Sequence, residues 1–360
     1  MDDVTTSRLM THALALAWKG WGRVHPNPMV GALVVRDGRV IGEGWHAEYG
    51  GPHAEVAALR AAGQGARGAT VVVTLEPCRH QGKQPPCTES LFQAGVREVV
   101  IGAADPDPAA AGGADRLRKA GVTVRRAPFE AAVRAQNAAF FHRHTGPSRP
   151  WIALKLALSL DGAIADRSGR SRWVSGPEAR AWVHRLRAGF DAIAVGGRTA
   201  RADDPQLTVR GDIVPRIAPR RVVFSTTGKL DPASRLVRTS DEVPVTLVTT
   251  PGSRVPRLPE SVSLLRAAAL SEAMTALHAR GVTSLLVEGG GQLAATLLQA
   301  GLVDRFYAVI APRLLGRDAV PGLPTVGLEA EGWAVIERGA LGPDTLIVME
   351  PPRAGGGRGV

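Results

Sequence analysis

The sequence predicts an α/β protein of two domains, and three observations carry that expectation. The chain has 360 residues, 44% of them hydrophobic, which is longer than a single core usually covers. Apolar runs of strand length alternate with helical patterns in both halves. Between the halves, the polar, proline-bearing segment "HRHTGPSRP" near residue 145 interrupts the alternation. Domains over 1–146 and 150–350 follow. Residues 351–360, "PPRAGGGRGV", are too glycine-rich and polar to pack and are expected to form a disordered tail.

Taken in order, Leu9, Met10, Ala13, Leu14, Ala17 and Trp18 recur at helical spacing and predict an amphipathic first helix. Thr5, Thr6 or Ser7 is its expected N-cap. "MVGALVVRDGRVIGEGWH" reads as two strands joined at Asp37-Gly38, a dipeptide suited to a type I′ hairpin. "GPHAEVAALRAAG" is a helix entered through Pro52 and closed near Gly63. "ATVVVTLEPC" is a buried strand, and "TESLFQAGVREVVIGAADPDP" gives helix, turn and strand. Beyond the connector come the strands "WIALKLALSLDG", "FDAIAVGG", "PRRVVFS", "VTLVTT", "TSLLVEGGG" and "RFYAVIAP". The helices "SGPEARAWVHRLRAG", "LSEAMTALHARG" and "GQLAATLLQAGL" are interleaved with them.

Composition narrows the function. No run approaches the roughly 20 apolar residues that span a bilayer, and the N-terminus starts acidic, unlike a secretory signal. A cytoplasmic protein is expected. The net charge of +11 suggests nucleic acid, but only five of the 44 basic residues are lysine and the arginines are spread along the chain. Phosphorylated small molecules suit an arginine-rich protein equally well. The two cysteines both lie in "EPCRHQGKQPPC", where a disulfide would close too short a loop to restrain much of the chain. Metal binding or thiol chemistry remains.

Upstream of that segment stands His53-Ala54-Glu55. A histidine at a helix start is often a cap, and two nearby cysteines are often merely buried. Their conjunction matches the zinc deaminase pattern, in which one His and two Cys hold Zn²⁺ and a non-ligating Glu moves protons. Two thiolates and an imidazole make a tight three-ligand site with the fourth position left for water. Zinc lowers the pKa of that water toward neutrality, which makes hydroxide available to attack an amidine carbon. Here eight residues separate the cysteines, where the generic spacing is Cys-x-x-Cys.

With "HPNPMVG" before it and "GEGWHAEYGGPHAE" between, this long loop resembles the deaminase half of the bifunctional riboflavin-biosynthesis deaminase and reductase family. "LKLALSLDGAIADRSGRSRWVSG", "GGRTARADDPQLTVR" and "LVEGGGQLAATLL" resemble, in that order, the family's reductase half. The resemblance implies a cytidine-deaminase-like three-layer domain followed by a dihydrofolate-reductase-like domain. The implied chemistry is zinc-dependent deamination of a diaminopyrimidinone ribosyl phosphate, then NADPH-dependent reduction of ribosyl to ribityl.

By matching position, His53, Cys78 and Cys87 are the implied zinc ligands, Glu55 is the proton shuttle, and Asn27, His46 and Lys83 line the substrate pocket. Ala157, Trp173, Thr199, Asp203, Ser225, Gly289, Gly290 and Gly291 should meet NADPH. Ser171, Arg187, Leu207, Arg210 and Glu288 should meet substrate, with Arg187 and Arg210 forked onto its phosphate. Lys155, set inside an apolar strand, is the candidate to orient or protonate the opening sugar. The family usually has Asn in a "DPNP"-like turn where this chain has Asp107. A homo-oligomer through the reductase half is expected, with neither a nucleic-acid nor a membrane partner. The rival is a deaminase of RNA bases, which would favour stacking aromatics, whereas aromatics make up only 4% of the chain.

Overall fold

Apolar runs that alternate their side chains between two faces need cover on both sides, and this requirement shapes each part of the molecule. In the computed structural model, which describes residues 1–169, 174–324 and 332–352, the chain divides into two compact units, Met1–Pro147 and Ser148–Val360.

The first unit runs α1 (Asp3–Ala17), β1 (Gly31–Arg36), β2 (Arg39–Trp45), α2 (Ala54–Ala62), β3 (Thr70–Leu75), α3 (Cys87–Gln93), β4 (Glu98–Ala103), α4 (Gly113–Lys119), β5 (Thr123–Arg126), α5 (Glu130–Gln136) and α6 (Ala138–Thr145). Among the described residues its strands form one sheet ordered β2-β1-β3-β4-β5, antiparallel across β2-β1-β3 and parallel across β3-β4-β5. Val34, Val71, Val73 and Val99 face α2, α3 and α4, while Leu33, Val35, Val72 and Val100 face α1. Alternate residues of the same strands thus build two cores, giving the three-layer arrangement.

Asp37 and Gly38 both take positive φ, 50° and 75°, as a type I′ turn requires. The first helix begins earlier than Thr5, Thr6 or Ser7 would give. Asp2 caps it, its carboxylate accepting from the Thr5 N–H at 2.7 Å, and an acid there also suits the helix dipole. On β2, a Cβ at Gly44 would lie 2.3 Å from the Ala54 carbonyl oxygen. Glycine therefore lets the start of α2 press directly onto the sheet.

The second unit comprises β6 (Trp151–Ser159), β7 (Ala163–Ala165), α7 (Pro177–Arg187), β8 (Ala192–Gly196), α8 (Gly197–Asp203), β9 (Arg220–Phe224), α9 (Arg235–Arg238), β10 (Val245–Thr249), β11 (Val262–Arg266), α10 (Leu270–Ala279), β12 (Ser284–Glu288), α11 (Gly291–Gln299), β13 (Arg305–Ala311), β14 (Val320–Pro321), β15 (Ala334–Leu341) and β16 (Asp344–Glu350). Its main sheet, among the described residues, is ordered β11-β10-β9-β8-β12-β6-β13-β16-β15. All neighbours from β11 to β13 are parallel, and the terminal β15-β16 hairpin is antiparallel.

Beyond the expected elements the structure adds α4, β5, α5 and α6 in the first unit and α8, α9, β11, the small β7-β14 pair and the terminal hairpin in the second. The β16 strand alternates buried and open positions and was legible in principle; β15 is open on both faces and carries no such signal. Ser171, Trp173 and residues 353–360 of the expected tail lie outside the described residues.

Candidate metal and substrate sites

Two helix starts and one strand end bring the first site together. His53 is the N-cap of α2, held where the glycines of β2 admit the helix, and Glu55 lies in its first turn. The wholly buried β3 ends at Leu75 and delivers Glu76, Pro77 and Cys78; Cys87 opens α3. The His53 Nδ1 lies 3.1 Å from the Cys87 Sγ and 3.6 Å from the Cys78 Sγ, and the three ligand atoms fall within 4.8 Å of one another. Two sulfurs and one nitrogen at that spacing fit a tetrahedral zinc with one position left over.

The electrostatics agree. The Cys87 thiol and the His53 ring hold the Cys78 thiol far below its ordinary range, as a thiolate. The same pairing and burial push Cys87 up. Burial also pushes the Glu55 carboxyl up.

A cavity of about 250 Å³ opens on this site, lined by Asn27, His46, His53, Glu55, Cys78 and Lys83 among others. It thus gathers the substrate residues expected of this half. The His46 Nδ1 lies 3.0 Å from the Pro52 carbonyl, which can only accept, so the proton sits on Nδ1. Its Nε2, 3.1 Å from the Asn27 Nδ2, must then accept from that amide, leaving the Asn27 oxygen as the free end. Lys83 places its Nζ 4.2 Å from the centre of the Tyr49 ring.

In the second unit the β6-β12 register sets Lys155 beside Glu288, and α7 brings Arg187 to the same carboxylate. Arg187 donates from Nε to Oε1 at 2.5 Å and from Nη2 to Oε2 at 2.8 Å, while its Nη1 donates to the Thr208 carbonyl at 2.9 Å. Where a fork onto phosphate was expected, both prongs of Arg187 grip Glu288 in this structure. A buried guanidinium requires an anion, and the strand end supplies one. Burial holds the Lys155 amine below its ordinary range, with Glu288 opposing that shift.

Leu207 is held by its side chain. Its side chain is packed in the core at a φ of 52°, so only its main chain is available to a ligand. Arg210 and Asp203 are exposed. A Cβ on Gly290 would stand 2.8 Å from the Thr199 Oγ1, and one on Gly197 would stand 2.9 Å from the Ser225 Cβ. Thr199, Ser225 and the Gly289–Gly291 turn therefore meet at the carboxyl ends of β8, β9 and β12, where open parallel sheets receive ligands. Ala157 lies on β6 two residues past Lys155, on the same face.

Residues 150–345 match the family described as RibD C-terminal domain, and residues 4–103 match the cytidine and deoxycytidylate deaminase zinc-binding region. The riboflavin biosynthesis protein RibD of Escherichia coli K12 is 40% identical over 94% of this chain and 97% of its own length. The chain belongs to the RibD family. A second RibD, from Synechocystis, is 39% identical over 94% of each chain. The solved Acinetobacter baumannii RibD, form 1, superposes with a TM-score of 0.83 at 34% identity, covering 98% of this chain and 100% of that one. A Thermotoga maritima structure titled as a diaminohydroxyphosphoribosylaminopyrimidine deaminase and 5-amino-6-(5-phosphoribosylamino)uracil reductase has the same score and identity, over 97% and 99%. As a RibD-family protein, the chain joins a zinc-dependent deaminase half to an NADPH-dependent reductase half.

Against that family background, two residues stand out that sequence reasoning left unassigned. Glu76 is buried, and its carboxylate accepts from three main-chain N–H groups: Asp105 at 3.3 Å, Gly112 at 3.2 Å and Ala114 at 2.8 Å. It pins the segment carrying Asp105 and Asp107, which line the cavity, and burial pushes Asp105 up to about 7. The available signal was an acid directly after a wholly buried strand. His184 lies one turn before Arg187 on α7, and its Nδ1 is buried without a hydrogen-bond partner. Burial, with Arg187 and Arg210 nearby, keeps its imidazole below the ordinary range; its spacing of three from Arg187 was the signal.

Proposed function

We propose that the first unit hydrolyses the 2-amino group of a diaminopyrimidinone ribosyl phosphate to a carbonyl, releasing ammonia, and that the second then reduces the ribosyl group to ribityl. The observation that carries this reading is the His53, Cys78 and Cys87 triangle with the buried Glu55 on one cavity.

His53, Cys78 and Cys87 would hold zinc, which when bound supplies the Lewis acidity that makes water a nucleophile near neutral pH. Glu55 takes a proton from the attacking water and returns it to the departing amine. The Asn27 oxygen, oriented through His46, accepts from a donor on the substrate ring, and Lys83 contacts the polar substrate.

In the second unit, Thr199, Asp203, Ser225, Ala157 and the Gly289–Gly291 turn would hold NADPH, which when bound supplies the hydride. By matching position, Trp173 belongs with these NADPH contacts and Ser171 with the substrate contacts. The glycine turn suits this task because side chains there would meet Thr199, and because it opens the nine-residue helix α11. Glu288, fixed by Arg187, accepts from ribose hydroxyls. Lys155 protonates the ring oxygen as the sugar opens, and Arg210 and the Leu207 main chain complete the substrate contacts.

The two cysteines must remain thiols to serve as ligands, which favours the reducing cytoplasm. Among the described residues no helix is long and apolar enough to cross a membrane. The low aromatic content favours a small molecule over RNA. The edge strand β15, with Val335 38% and Ile336 41% exposed, supports a homo-oligomer through the second unit.

The test is to supply the zinc-loaded protein with the diaminopyrimidinone ribosyl phosphate and NADPH, following ammonia and NADPH together. Both should change, NADPH loss lagging ammonia. Glu55→Gln should retain zinc and abolish ammonia release, yet still reduce the deaminated substrate. Ammonia release by that variant would remove Glu55 from the mechanism, and ammonia without NADPH oxidation would remove the reductase reading.

A further inference from the structure

The substrate proposed above carries a phosphomonoester of about −1.5 to −2 charge at neutral pH. The cavity around Glu55 suits that group poorly. Its lining includes the carboxyl groups of Glu55, Glu76, Asp105 and Asp107, and its one Lys or Arg is Lys83. An adjoining cleft of about 560 Å³ has the opposite balance, with Arg79, Arg116, Lys119 and His80 on its walls. Its one acid, Asp115, is paired with Arg118 at 2.7 Å. His80 lines both spaces, and Arg79 and His80 directly follow the ligand Cys78 in the chain.

Two of the cleft cations, Arg79 and Arg116, are positioned mainly by backbone. Arg79 donates from Nη2 to the Pro108 carbonyl at 3.4 Å and lies over Gly112, where a Cβ would stand 3.4 Å from its Cδ and Nε. Arg116 donates to the Arg79 carbonyl at 3.1 Å; its contact with Glu89, at 3.5 Å, is solvent-exposed and therefore weak. Three surface cations alone are commonly a solvated face. What distinguishes these is that they outnumber the one acid, Asp115, in a concavity that shares His80 with the catalytic cavity.

We infer that this cleft seats the phosphate of the deaminase substrate: the pyrimidine enters the Glu55 cavity, the ribosyl group passes His80, and the phosphate lies among Arg79, Arg116 and Lys119. The inference rests on the function proposed above and identifies the residues that read its phosphorylated class. Free phosphate shares the chemistry and serves as the probe for the same seat.

The test uses the full zinc-loaded chain and measures ammonia release from the ribosyl phosphate and from its dephosphorylated riboside. Arg79→Gln and Lys119→Glu should each raise KM for the phosphorylated substrate by about tenfold or more, as loss of a charge-assisted contact does. Their KM for the riboside, zinc content and NADPH-dependent reduction should stay at wild-type values. Inorganic phosphate should compete with the phosphorylated substrate in the wild type and lose that effect in Lys119→Glu. An unchanged KM, an equal rise for both substrates, or non-competitive inhibition by phosphate would overturn the inference. Failure of the wild type to release ammonia from either substrate would instead overturn the deaminase reading itself.

Discussion

The two units hold their reactive groups in contrasting ways. In the first, His53, Glu55, Cys78 and Cys87 come from 35 consecutive residues and meet because two helix starts and one strand end converge. In the second, Arg187 and Glu288 are 101 residues apart, and Lys155 comes from a third segment. The first set is a ligand trap whose sulfurs and imidazole are arranged for an added cation. The second is a closed charge pair, in which the arginine expected to greet the substrate already neutralises the protein's own carboxylate. A compact motif therefore announces its chemistry, whereas a dispersed pair first has to satisfy the fold and acts on a ligand through what the pairing holds in place.

The most severe way to break this comparison is Arg187→Ala. It leaves the Glu288 carboxylate buried without its two charge-assisted bonds, at a cost of about 3–5 kcal/mol. The expected outcome is a lower urea midpoint for the unfolding transition of the second unit and loss of NADPH oxidation, with ammonia release retained. A stability change below about 1 kcal/mol would mean that Lys155 takes over the carboxylate, making the pair dispensable to the fold.

A smaller effect is expected from Glu76→Gln, which turns one acceptor into an amide donor facing main-chain N–H groups. A loss of about 1–3 kcal/mol in holding the 105–114 segment should appear as a KM for deamination raised roughly tenfold, with zinc retained. Restoration by Glu76→Asp would support a positioning role; a fall in kcat at constant KM would refute it. The mildest change in activity belongs to Val335→Lys combined with Ile336→Lys. Sedimentation should show a smaller species while both activities remain near wild type, and an unaltered mass would remove the β15 edge from the assembly.

How much was legible follows the same division. The zinc triangle could be read because each residue type is scarce and the spacing short: the only two cysteines flank one loop, and His53 and Glu55 share one helix start. The partners of Glu76 could not be read, since they are main-chain N–H groups 29 to 38 residues further on and carry no side-chain signature. Arg187 was singled out through resemblance, but its partner within the chain depends on the register that aligns Glu288 with Lys155. Leu207 shows a further limit, because a sequence does not reveal that the side chain of a residue singled out by resemblance is committed to the core.

The Glu76 clamp also bears on how this protein can change over generations. Because its carboxylate holds peptide N–H groups, the grip reads no side chain of the 105–114 segment, and the close constraint there is Gly113, where a Cβ would stand 1.8 Å from the Pro77 carbonyl oxygen. Asp107, for example, accepts from the Ala109 N–H at 3.0 Å, a bond that an asparagine side chain could equally make. Position 107 can therefore change, and with it the polarity of the pocket wall, while Glu76 and the glycine pair at 112 and 113 hold the segment against the cavity that His53 and Cys78 also line.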